Sequence, residues 1–211
     1  MFPYFGESHS DRGTATGIGT LQAVRGYWQA LRHGEGVPRR ADIDPRGMVD
    51  SLERIFLIER IAAGQARFRL AGMHLADLMG MDLRGMPLSA LFDASARARL
   101  ANALEQVFAA SCLLEIAMEA ERGLGRKSMS GRMIVLPLQG DAQEPALALG
   151  CLVTEGAIGR VPRRFAISGI KAELIAPEST RLQLVASAVR PVVSVASSPA
   201  RRRLQLVHSA D

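Results

Sequence analysis

Residues 68–92 read FRLAGMHLADLMGMDLRGMPLSALF. The stretch starts as an alternating strand and runs into an apolar helical patch over about 73–79. It then passes a G-x-x-L-x-G punctuation, Gly80, Leu83 and Gly85, and enters a second apolar patch that ends at Leu91 and Phe92. None of its residues resembles a catalytic set. It has the pattern of one wall of a small α+β domain.

Working outward, the flanking segments complete that domain. Asp44 before Pro45 reads as a helix cap with proline at the first helical position, which predicts a short helix over 45–52. Residues 54–60 and 66–70 read as two strands joined at Ala63-Gly64-Gln65, a hairpin. Beyond the opening stretch, Asp93 is placed to cap a helix over about 94–110. On it Leu100, Leu104, Val107 and Phe108 share one face. Three strands follow, 112–121, 128–138 and 146–154, separated by turn-rich RGLGRK and QGDAQEP. Upstream, Thr20 is a candidate cap for an amphipathic helix ending near His33, with Leu21, Val24, Trp28 and Leu31 at helical spacing. Gly34, Gly36 and Pro38 stop it.

This order divides the chain into a disordered N-terminus (1–18), an N-terminal helix (19–36), a domain (37–165) and a basic, largely disordered tail (166–211). Within the tail, 166–175 reads as a further strand or a short helix. The chain of 211 residues carries a formal charge of +5, unevenly spread. Residues 1–155 hold 17 basic and 18 acidic side chains, a net of −1, and residues 156–211 hold 9 and 3, a net of +6. Basicity thus belongs to the tail, and without interleaved aromatics nucleic-acid binding is not expected. No apolar run is long enough to span a membrane and no leader pattern opens the chain, so the expected compartment is the cytoplasm.

The motifs together resemble a bacterial family of stand-alone PAS-like proteins. They are Tyr27-Trp28, the Leu-Arg-x-Gly helix end Leu31–Gly34, the run Pro38-Arg39-Arg40-Ala41-Asp42-Ile43-Asp44-Pro45, Phe68–Gly72, and the Gly80–Gly85 punctuation. The resemblance covers about residues 20–165. It implies a five-stranded antiparallel sheet with helices on one face, and a sensory or protein-interaction role without catalysis. It also implies a small apolar ligand cavity beside the opening stretch. The expected lining is His74, Leu75, Leu78 and Met79, with Met86, Leu91 and Phe92, and Leu104 and Phe108 from the long helix. A homodimer is expected through the N-terminal helix, by way of Leu21, Val24, Tyr27, Trp28 and Leu31, a surface that must pack on the sheet or on a second copy. The signalling partner is not specified. The alternative to ligand sensing is a ligand-free PAS scaffold that acts as an adaptor.

Other constellations have plainer readings. A haem held by His74 is not expected, since one histidine without a second signal specifies nothing. The cysteines, Cys112 and Cys151, lie in strands and outside any flavin-attaching motif. If the last three strands form a meander, those two strands flank a third, and the sulfurs are about 9–10 Å apart, too far for a bridge. No cofactor or metal is predicted. Asp42 and Asp44 read as cap and ion pair. Arg160 and Arg164 have the R-x-x-x-R spacing of the PilZ class, which binds cyclic di-guanylate, but Ala166 and Lys171 stand where that pattern needs an acid or amide and a glycine. No nucleophile elbow, phosphate loop or paired zinc ligands occur, so no enzyme is expected.

Overall fold

The computed structural model describes residues 10–34, 36–140 and 146–175. The tail from residue 176 onward, with its arginines, lies outside the described residues. Among the described residues three α-helices occur, α1 (Ser10–Ala30), α2 (Met73–Met79) and α3 (Arg97–Ala110), with 3-10 turns at Arg40–Asp42, Pro45–Arg54 and Leu88–Leu91. Six strands, β1 (Ile55–Ala62), β2 (Gln65–Ala71), β3 (Cys112–Ala120), β4 (Ser130–Leu138), β5 (Leu147–Glu155) and β6 (Phe165–Leu174), form one antiparallel sheet in the order β2-β1-β5-β4-β3-β6.

The α+β class and the leading helix are as expected, but the sheet has six strands instead of five. Residues 165–174, assigned above mainly to the tail, pair along the whole of β3. Two causes favour the extra strand. It satisfies the outer backbone groups of β3, which would otherwise be an open edge. It also buries Phe165 and Ile167 in the core. The opposite edge, β2, is covered by the opening stretch itself. After α2 the chain turns back, so that Gly85 N–H donates to Phe68 O at 2.7 Å and Phe68 N–H to Met86 O at 2.9 Å. Gly85 takes φ +79°, a value that L side chains rarely adopt, and the second glycine of the punctuation makes this return possible.

Each face of the sheet carries a cluster of buried residues, packed under different elements. On the inner face Phe56, Phe68, Ile116, Val135 and Leu152 pack with residues of α2, α3 and the 88–91 turn. On the outer face Leu21, Val24 and Trp28 of α1 pack against Ile134, Leu136, Leu149, Cys151 and Val153. The surface of α1 expected to meet the sheet or a second copy therefore meets the chain's own sheet. Trp28 is 1% exposed, and its Nε1–H donates to Pro137 O at 3.0 Å. That carbonyl is free because the β3–β4 ladder stops at Leu114–Val135, which is also why β4 tolerates a proline there. Tyr27 Oη donates to Asp44 O at 3.0 Å and accepts from Asp44 N–H at 2.8 Å, tying α1 to the segment that leads into β1.

The helix starts at Ser10 and not at Thr20, so residues 10–18 are helical where disorder was expected. At Gly17 the helix already lies on the sheet, since a Cβ there would sit 3.5 Å from Val153 of β5, so tertiary packing reaches upstream of the expected cap at Thr20.

Two substitutions test this packing. Trp28→Ala should cost about 3–5 kcal/mol in urea unfolding, the range for truncating a buried large aromatic. Gly150→Ala should cost about 1–3 kcal/mol, because its methyl would press into the buried Phe56 ring.

Candidate functional site

Eight of the nine residues expected around a cavity are brought together. Leu75, Leu78 and Met79 from α2, Leu91 and Phe92 from the following turn, and Leu104 from α3 are buried, with Met86 and Phe108 partly buried against them. They pack as part of the inner core, and the six buried ones are at most 4% exposed. The ninth, His74, stands apart. It is half-buried, and its Nε2 lies 3.0 Å from Thr154 Oγ1 on β5. It is a polar contact between α2 and the sheet, and its ring nitrogen is engaged by that hydroxyl.

Open volume adjoins this core. A cleft of about 340 Å³ lies between α3 (Arg97, Leu100, Ala101, Leu104) and the β1–β2 turn with Pro87 and Ser89. Glu105 holds its wall: Oε2 accepts Gly64 N–H at 2.8 Å and Oε1 accepts from Arg60 at 2.6 Å. Of the expected lining only Leu104 reaches this cleft. Leu100, Ala101 and Gly64 were missed. Their signal was the smallness of Ala101 and Gly64, which lets helix and hairpin turn approach closely.

The remaining constellations have structural work. Cys112 and Cys151 are buried and free, on β3 and β5 with β4 between them. Burial pushes the Cys151 thiol up to about 12, against a smaller lowering by Arg54, so it is not a reactive thiolate. Asp44 accepts from Arg46 N–H at 2.9 Å as a cap. In the β5–β6 connection Arg160 and Arg164 are exposed, while the arginine between them, Arg163, is 1% exposed. Its guanidinium donates to Ile158 O (3.0 Å), Lys127 O (2.8 Å) and Glu121 O (3.3 Å). Its own N–H donates to Leu78 O at 2.8 Å, so it pins the connection to the β3–β4 hairpin and to α2.

Burial, then the charge of Arg54, holds His74 below its ordinary value of 6.5, against weaker raising by Asp77 and Glu53. The unfolded chain therefore takes up the proton first as pH falls. The stability this group supplies is complete above about 6.5 and is lost as pH drops through the lower folded value. His74→Gln, which keeps a polar partner for Thr154 and cannot titrate, should flatten that part of the pH dependence when unfolding free energies are measured between pH 7.5 and 5.

Residues 18–153 match a protein-family model described as PAS domain. No curated protein matches the chain. The matched segment runs from within α1 into β5, more than half of the sequence, and takes in most of the helix and core and the first five strands, while β6 lies beyond it. The chain belongs to the PAS domain family.

Proposed function

We propose that this PAS domain is a non-enzymatic sensory and regulatory module of bacterial cytoplasmic signalling, which takes up a small apolar ligand next to its inner core and passes the change to a protein contact. The observation that carries this reading is the cleft of about 340 Å³ at α3, whose floor is Leu100 and Leu104 of the core. Its volume lies in the range of small-molecule sites. A ligand entering there would touch Leu104, which shares one core cluster with Leu75, Leu78, Met79, Met86, Leu91, Phe92 and Phe108. His74, on the far side of α2, would report the movement of that helix against β5 through Thr154.

The second reading, an adaptor with a ligand-free core, draws support from how completely those side chains fill their space. Either way the contact to a second copy is assigned to α1. Leu21, Val24 and Trp28 are used by the sheet and Tyr27 and Leu31 are half-buried, so a partner would meet the exposed small residues Gly19, Ala23, Gly26 and Ala30.

Native mass spectrometry of the full chain as purified separates the two readings. Ligand sensing predicts a co-purifying small molecule that Ser89→Trp, at a half-buried position lining the cleft, expels; a mass equal to that of the bare polypeptide for each protein would leave the adaptor.

For the dimer, Ala23→Arg should convert a dimer to a monomer in light scattering without lowering the melting temperature. A wild-type chain that is already monomeric would refute the assignment to α1.

A further inference from the structure

Among the described residues, the outer face of the sheet is only half covered. α1 packs over β5 and β4, and an open groove of about 430 Å³ lies between it and the β3–β6 pair. Its origin is a pair of small residues: Ala117 of β3 and Gly169 of β6 stand opposite each other in register. A Cβ placed on Gly169 would meet only Ala117, at 3.7 Å, so the space above them is open. Ile18 and Leu21 of α1 form the apolar wall facing this floor.

The charges at the groove are unequal. Its lining holds three cations, Arg25, Arg132 and Lys171, and one carboxylate, Glu115. Arg25 is spent, with Nη1 on Glu115 at 2.8 Å and Nη2 on Glu173 at 2.7 Å, and this same bond occupies Glu115. Glu119, the next carboxylate along β3, pairs with Arg122 at 3.9 Å. Arg132 and Lys171 are exposed and have no ion-pair partner among the described residues. By register they are two strands and two residues apart, about 12 Å between backbones, one on each side of the small-residue floor. An anionic head between them would complete the charge, and an apolar body would cover the floor and the wall of α1.

We propose that this groove is a second binding site, on the opposite sheet face from the α3 cleft, for a small amphipathic organic anion with a carboxylate head and an acyl tail. Such a ligand touches α1, β3 and β6 together.

The test is calorimetric titration of the full chain with decanoate, with acetate and decanol as the headgroup-only and tail-only controls. Decanoate should bind, and each control at least about ten-fold more weakly, since each lacks one half of the recognition. Gly169→Leu, which fills the groove, should abolish binding at an unchanged melting temperature. Arg132→Gln with Lys171→Gln, two exposed changes that leave the fold intact, should weaken it at least about ten-fold. Ser89→Trp, which fills the α3 cleft from a half-buried position on the other sheet face, should leave it unchanged, so failure of the α3 cleft and failure of this groove give different results. Absence of decanoate binding overturns the proposal, as does binding indifferent to the Arg132/Lys171 pair or lost in Ser89→Trp at an unchanged melting temperature. If decanoate does not bind and Gly169→Leu alters the mass in solution, the groove is a contact between copies and the proposal fails.

Discussion

The structure depends on one buried contact, the apolar stripe of α1 laid across β4 and β5. Val24 and Trp28 are buried there, and the indole N–H donates to the carbonyl of Pro137, beyond the end of the β3–β4 ladder. Without this cover, Ile134, Leu136, Leu149, Cys151 and Val153 would face water. The polar contacts around the stripe are weaker and have a different role. The pairs from Arg25 to Glu115 and Glu173 are partly exposed and contribute about 0–1 kcal/mol each, against several kcal/mol for the buried tryptophan. Burial therefore holds α1 on the sheet, while Arg25 and the Tyr27–Asp44 clamp set its direction.

This arrangement gives the PAS domain two unlike faces. The inner face is filled by the chain's own side chains, with a cleft where Gly64 and Ala101 let α3 and the hairpin turn meet. Among the described residues the outer face is filled over β4 and β5 and hollow over β3 and β6, above the small side chains of Ala117 and Gly169. α1 borders that hollow and carries the small-residue surface assigned to a partner. A change in its seating would reach both surfaces, which is the physical basis for reading the protein as regulatory.

Where local chemistry decided the structure, the sequence was legible. Met73–Met79 is the helix its apolar spacing predicts, Asp44 caps as its following proline implies, and β3 to β5 fall within two residues of their expected ends. The misses share one cause, tertiary contact. Nothing in the local pattern extends the helix upstream of Thr20, where Gly17 already packs on Val153 of β5. α3 begins at Arg97 because Asp93 caps a turn first, accepting from Ala96 N–H at 2.9 Å. β6 has an ambiguous pattern and is settled by the open edge of β3. The continuous apolar runs 133–138 and 147–153 were a legible sign that both faces of these strands are buried. Eight of the nine residues expected around a cavity fall in one core cluster, yet a roll of apolar names does not reveal whether they enclose space or fill it.

Hydrogen exchange of the full chain, resolved by segment, tests the central claim most directly. If α1 is part of the core, the amides of residues 21–30 are protected to nearly the level of β4 and β5 and lose that protection with them in Trp28→Ala. Exchange of residues 21–30 at the rate of an unstructured peptide, beside a fully protected sheet, would contradict it.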